Sequence, residues 1–392
     1  MSQHDAELSK QEHLPESPSS KQMIDSLTGF RFYAAFLVFI SHGMYHFNFF
    51  GIHNPALLLI VRNLGHLGVS LFYVLSGFVL FVNYPPRADR PLALKKFYIA
   101  RFSRIYPVFF LTTLLAIPLE WFSPSKTAFW LPLAQNITLT QCLTQSSCGS
   151  FNDVGWSIGV EFFFYLAFPV LTALFLAPRK AFLSGMLLMA SIVGILYLLP
   201  DQNFYAGPHF PFNRLLEFWL GLAGGWLFLV QSHRWPNWVT SFAQHRLAPA
   251  MALTGLALLL WTLPVVIEPW GRLKEAYYLF YMGPALLFIL ILAGCERAKA
   301  PLTLFAAPLV VFGGEISYSF YLIHNLIFRY LRHGLLKGVH FEIKTTTLPV
   351  QLALCGLVLA LTLLSSVVLY KTVEMPWRQK IRNLLLGSGS SR

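Results

Sequence analysis

The chain has 392 residues, 56% of them hydrophobic and only 12% charged. Soluble domains carry roughly 25% charged residues, so a soluble fold is excluded, and the repeated long apolar runs indicate a polytopic membrane protein. Lys and Arg outnumber Asp and Glu by 29 to 17, but they fall mostly in short loops between apolar runs, which reads as membrane topology rather than nucleic-acid binding.

Residues 1–24 are polar and have no apolar core, as in a disordered cytoplasmic tail rather than a cleavable signal peptide. The first apolar run, 26–50, carries Arg31 and His42. Eleven helical positions turn through about 1100°, close to three full turns, so both side chains leave one face about 16–17 Å apart along the axis. Such a stripe is costly in lipid and should face protein or a water-filled cavity. Taken singly, either residue has a plainer role, Arg31 snorkelling at a helix end and His42 bonded to a carbonyl. The second run, 65–84, has small residues (Gly68, Ser70, Ser76, Gly77) suited to close helix packing.

The most basic loop, 85–104, follows and is read as cytoplasmic, which places the N-terminus inside. Further runs are expected at 102–121, 154–177, 181–199, 212–230, 247–267, 276–294, 308–331 and 348–370. Ten helices put both termini in the cytoplasm, with about 19 Lys/Arg in inner segments and about 7 in outer ones. The expected organisation is a tail over 1–24, an all-α transmembrane helix bundle over 25–380 and a flexible cytoplasmic tail over 381–392. The longest outer loop, 123–153, holds Cys142 and Cys148, whose spacing allows a small disulfide outside the cytoplasm. Cys295 and Cys355 read as packing residues. No metal-ligand spacing, glycine-rich phosphate loop or nucleophile elbow is present.

Six groups of residues bear on chemistry. Glu161, one to two turns below the outer end of its run, is expected at about the depth of His42, where a Glu–His pair makes an oriented general base. Its plainer role is an ion pair with an Arg. Arg101 and Arg104 stand at i and i+3 on one face at the cytoplasmic end, a geometry that fits phosphate as well as lipid headgroups. Ser317, Tyr321 and His324 form a polar stripe, and Arg214/Glu217 is most simply an intramembrane ion pair. Trp156 and Ser157 sit above Glu161 near the interface. Glu374 is expected to end the last helix beside a basic loop.

Six of these segments, in order, resemble the acyltransferase-3 membrane O-acyltransferases of bacteria. They are Arg31 and His42 with ten residues between, GVSLFYVLSGFVL, Arg101-x-x-Arg104, Trp156-Ser157-Ile158-x-x-Glu161, Ser317-Tyr318-x-x-Tyr321-Leu322-x-His324, and Val373-Glu374-x-Pro376. The resemblance implies a protein of the bacterial inner membrane that moves an acetyl or longer acyl group from acetyl-CoA, without a metal, to a hydroxyl of a surface or lipid-linked glycan such as O-antigen or exopolysaccharide. It implies that His42 is the catalytic histidine, Arg31 its helix partner, and Arg101 and Arg104 donor-binding. Apart from the resemblance, Trp156, Ser157 and His324 are candidate donors to the tetrahedral oxygen, Tyr318 is taken with them as a substrate-side residue, and Glu161 is expected from its depth to orient His42. Some relatives act on macrolides, so the acceptor stays open. The rival expectation is a transporter or flippase for an anionic or sugar substrate; the lack of repeat halves counts against it.

Overall fold

The computed structural model describes residues 24–47, 54–121, 129–200, 203–230, 237–245, 247–267, 276–300, 302–332 and 347–387. These form an all-α bundle. Ten long helices cross it: α1 (Asp25–Phe47), α2 (Pro55–Asn83), α3 (Leu94–Trp121), α5 (Trp156–Leu174), α6 (Pro178–Leu198), α7 (Pro211–Val230), α9 (Ala248–Ile267), α10 (Tyr277–Arg297), α12 (Pro308–Tyr330) and α13 (Leu348–Leu369). Shorter helices are α4 (Trp130–Ile137), α8 (Asn237–Gln244), α11 (Thr303–Ala306) and α14 (Met375–Leu386).

Each expected run has its helix, but several ends differ. α2 starts at Pro55 rather than 65, because Asn54 caps it, its side chain accepting from the Leu57 N–H at 3.1 Å, and Pro55 supplies a preset first turn. α3 starts at Leu94 and takes the end of the basic loop into its first turns. After α13 the backbone passes through a π-helical turn, Tyr370–Glu374, straight into α14. That helix runs on to Leu386, through part of the stretch expected to be a flexible tail. Almost all of the 1–24 tail, and the last residues 388–392, lie outside the described residues.

Burial separates an inner from an outer set. Among the described residues, eight helical segments are long and apolar enough to span a membrane. Of these, the hydrophobic stretch of α2 is 67% buried, whereas that of α9 is only 22% buried and faces outward. α7 and α12 are of similar length but polar, with Arg214 and Glu217 on one and His324 and Asn325 on the other, all fully buried. Polar groups in hydrocarbon must face protein, so these helices take the centre. There α2 packs on α7 so closely that a Cβ on Gly77 would collide with the Phe218 carbonyl, and one on Gly221 with the Val74 carbonyl. α1 meets α12 in the same way, Gly314 lying against the Thr28 carbonyl.

Charges lock the bundle at several points. The Glu296 carboxylate accepts from the backbone N–H groups of Asp25 and Ser26, each at 2.8 Å, which satisfies the orphan donors that open α1. Arg214 Nε lies 2.9 Å from Glu217 Oε2 within α7, and Arg214 Nη2 donates to Ser70 Oγ of α2 at 3.2 Å. Its guanidinium also lies over the rings of Tyr73, Tyr277 and Tyr278. Arg329 of α12 pairs with Glu120 of α3 at 2.8 Å and donates to the Phe151 carbonyl.

The connection from 129 to 155 is packed rather than loose. Asn136 donates to Ser150 Oγ at 2.8 Å, and Asn152 to the Leu322 carbonyl at 2.9 Å. Cys142 and Cys148 are free thiols with their sulfurs 3.1 Å apart. Burial pushes the Cys142 thiol up.

Candidate active site

Three adjoining cavities run through the bundle. The first, about 1410 Å³, opens at the arginine end and is lined by Arg31, Arg101, Arg104, Tyr318, Glu374 and Arg378 among others. The second, about 780 Å³, shares Arg31, Arg101, Arg104 and Tyr318 with it and adds Glu161, Tyr165, Ser157 and Tyr321. The third, about 590 Å³, holds His42, His66, Arg62, Asp153, Trp156 and His209. Val69 and Tyr321 line both the second and the third, so these two residues form the neck between them.

Tyr321 is pinned at this neck. Its hydroxyl is 2.8 Å from Ser157 Oγ and donates to the Val154 carbonyl at 3.3 Å. Ser157 also donates to that carbonyl at 2.9 Å, and Tyr73 Oη donates to the Ser157 carbonyl at 3.2 Å. The start of α5 is therefore tied to α2 and α12 at the constriction.

Above the neck, hydrogen bonds fix the imidazole tautomers. His324 Nδ1 is 3.3 Å from the Phe320 carbonyl, and His42 Nδ1 is 3.0 Å from the Val38 carbonyl. A carbonyl only accepts, so each Nδ1 carries the proton. His324 Nε2 then holds a lone pair, and it lies 3.1 Å from His42 Nδ1, which donates to it as well. His42 Nε2 is left as the basic nitrogen of a histidine pair. His324 is fully buried and packed among Phe39, Phe320 and Phe328, which sets its ring plane. A third imidazole, His66 of α2, has Nδ1 2.5 Å from Tyr277 Oη of α10. His209 stacks edge-on against Trp156 at 4.5 Å. Burial pushes the His209 imidazole down, while Asp153 nearby acts the other way.

Glu161 has other company than expected. It accepts from Tyr165 Oη and lines the second cavity with Arg31, Arg101 and Arg104, while the partner at His42 Nδ1 is His324. Arg31 and His42 do both face cavities, Arg31 below the neck and His42 above it. Arg101 is buried under the rings of Tyr84 and Tyr165, and its Nε has no hydrogen-bond partner. Tyr318 Oη donates to the Ile105 carbonyl at 2.5 Å, between the arginine-lined chambers. Glu374 lies in the π-helical turn, accepting from Ser319 Oγ at 2.7 Å, rather than pairing with a loop. Among the described residues no group of three or more His, Cys, Asp or Glu side chains stands close enough to hold a metal ion.

His66, Asp153 and His209 were not singled out from the sequence. His66 fell at the edge of a run drawn too short. With α2 starting at Pro55, the i, i+3, i+7 spacing of His66, Val69 and Tyr73 marks one cavity-facing stripe.

A buried, oriented imidazole reached through an arginine-lined passage suits acyl transfer from an anionic carrier, and sequence comparison points the same way. The acyltransferase domain model Acyl_transf_3 matches residues 24–369. The chain belongs to this acyltransferase family. It is 27% identical over 374 residues, covering 90% of this chain and 91% of the relative, to acyltransferase MdmB of Streptomyces mycarofaciens. It is 26% identical over 282 residues, 70% of this chain and 77% of the relative, to ORF330 of Acidianus two-tailed virus, named as a candidate acetyltransferase. No solved structure matches at a significant level. The matched region of this membrane acyltransferase spans all ten long helices and takes in every lining residue of the second and third cavities, whereas Tyr370, Glu374, Met375 and Arg378 of the first lie just beyond it.

Proposed function

We propose that this acyltransferase carries an acetyl group from acetyl-CoA, bound from the cytoplasmic side at the arginine end, to a hydroxyl of a surface or exported glycan that reaches His42 from the opposite side. The observation that carries the reading is the hydrogen-bond chain from Phe320 through His324 to His42, which leaves His42 Nε2 as a base on a cavity. Arg101 and Arg104 hold the CoA phosphates, where a bidentate guanidinium and an unmet Nε donor suit phosphate oxygens. The pantetheine arm then spans the second cavity, over a rise comparable with the roughly 16 Å between Arg31 and His42. Glu161, bonded to Tyr165, balances the arginine charge along that path.

At the neck His42 Nε2 takes the proton of the acceptor hydroxyl as its oxygen attacks the thioester carbonyl carbon. A carbon–oxygen bond forms and the carbonyl oxygen becomes an oxyanion. The intermediate collapses with cleavage of the carbon–sulfur bond, and the imidazolium returns its proton to the departing CoA thiolate. His324 accepts from His42 Nδ1–H throughout, so it positions the base. The oxyanion needs a fixed donor. We assign this role to His66, in the tautomer in which Nδ1 accepts from Tyr277 Oη and Nε2 carries the proton, on the cavity it shares with His42. Trp156 and Asp153 at the outer rim offer a ring face and an acceptor for sugar hydroxyls.

The test is His42→Ala in the purified protein and in cells. Acetylation should be abolished while insertion and CoA binding persist, whereas Arg101→Ala with Arg104→Ala should weaken CoA binding. Retained glycan acetylation in a well-expressed His42→Ala strain would remove the assignment.

A further inference from the structure

Beyond the paired arginines of α3, the structure carries a second basic cluster that none of the steps above uses. Arg378 and Arg382 stand one helical turn apart on one face of α14. Arg378 lines the arginine-side cavity with Arg101 and Arg104. It also lines an adjoining cavity of about 800 Å³ with Gln379, Arg382 and Asn383. Met375 and Arg378 are common to both, so the passage from His42 continues past the mouth and along α14.

We infer that this outer cavity is the nucleotide subsite of the donor, with Arg378 and Arg382 holding a phosphate monoester, the 3′-phosphate of the CoA adenosine. The inference rests on CoA being the donor. Five guanidiniums, those of Arg31, Arg101, Arg104, Arg378 and Arg382, gather along the two joined cavities, and the carboxylates facing them are Glu315 and Glu374, the latter engaged by Ser319. An excess of like charge along one groove favours a polyanion whose phosphates are spaced along it. CoA carries a diphosphate and, beyond the ribose, a separate monoester. The inner arginine pair meets the first and the outer pair the second. Gln379 and Asn383 add amide groups able to reach the adenine edge. A lipid headgroup also offers a phosphate to a basic helix at a membrane surface. The nucleotide is favoured because Arg378 belongs to the same cavity as the buried, unsatisfied Arg101 Nε.

The experiment compares acetyl-CoA with acetyl-dephospho-CoA, which lacks only the 3′-phosphate, in detergent-purified protein. Wild type should show a KM roughly tenfold lower for acetyl-CoA, the size expected from one charge-assisted contact. Arg378→Ala with Arg382→Ala should raise the acetyl-CoA KM by a similar factor and bring the ratio of the two KM values close to one. Arg378→Lys with Arg382→Lys should restore part of the preference, which separates the effect from misfolding. The inference is overturned if wild type does not discriminate between the donors, or if the alanine variant keeps the wild-type ratio. It is equally overturned if the variant alters only activation by anionic lipid vesicles, which assigns the arginines to a headgroup. A wild-type protein that transfers acetyl from neither donor refutes the proposed function instead.

Discussion

At the scale of single residues, the proposed function rests on two imidazoles presenting opposite faces of the same chemistry. His42 Nδ1 gives its proton to Val38 and His324, which makes Nε2 basic; His66 Nδ1 meets a phenol, and in the tautomer the proposal assigns it accepts that bond and presents Nε2–H as a donor. Amide side chains test the second half of this pairing. Asn overlays the His Nδ1 position and Gln the Nε2 position, so His66→Gln keeps a donor toward the cavity and His66→Asn keeps only the Tyr277 contact. Loss of one oxyanion donor costs roughly 10²–10³-fold in kcat. His66→Asn should therefore fall by about that factor with little change in KM, and His66→Gln should recover at least tenfold of it. Equal activity of the two variants in single-turnover CoA-release assays would show that His66 acts through packing alone.

Residue-level reading of the sequence picked out Arg31, His42, Arg101 and Arg104, which the structure sets on the cavities, and His324, which it bonds to His42; it paired His42 with Glu161, which the structure bonds to Tyr165 instead. The reason is geometric. A rise of about 1.5 Å per residue gives depth along a spanning helix, so Glu161 and His42 were placed at similar depth. It says nothing about how one helix is rotated against another. His324, on α12, is turned toward His42, while Glu161, on α5, is turned toward Tyr165 and the arginines. Asp153 and His209 come from connections with no periodicity, and no pattern in the chain ties them to His42.

At the scale of helices, close approach decides which positions tolerate change. Gly77 and Gly221 face each other's backbones across the α2–α7 crossing, whereas Gly255 on α9 and Gly356 on α13 have open space around them. Gly77→Ala or Gly221→Ala forces these helices apart and should destabilise by about 1–3 kcal/mol. Gly255→Ala should be neutral or stabilising by up to about 1 kcal/mol, because Ala is the better helix former. Thermal aggregation in detergent, measured for the three variants side by side, checks the difference in sign. Helix existence was legible because each run is long and apolar. Helix ends were less so: the Asn54 cap, the basic first turns of α3 and the π-helical turn before α14 depend on local backbone bonding that hydropathy does not report.

At the scale of the whole molecule, the ordering of polarity inverts that of a soluble bundle. α7 and α12, the two long helices that miss a simple apolar threshold, lie inside, and the most apolar segments lie at the periphery. This inversion is readable from composition alone, since a buried Arg214–Glu217 pair has no tenable position facing lipid. On the proposed function the arginine end faces the cytoplasm, and ten crossings with the expected positive bias would put both chain ends on that side. Reporter fusions before residue 24 and after residue 387 should give matching cytoplasmic signals, and one in the 129–155 connection should report the opposite side.

The neck at Tyr321 has a consequence for the cell as well as for catalysis. Two hollows of the bundle approach each other until one phenol and one valine stand between them. A catalyst built this way is nearly a pore. On the proposed function, the bond from that phenol to Ser157 acts as a gasket that has to keep ions and protons from running down their gradient whenever donor and acceptor are away.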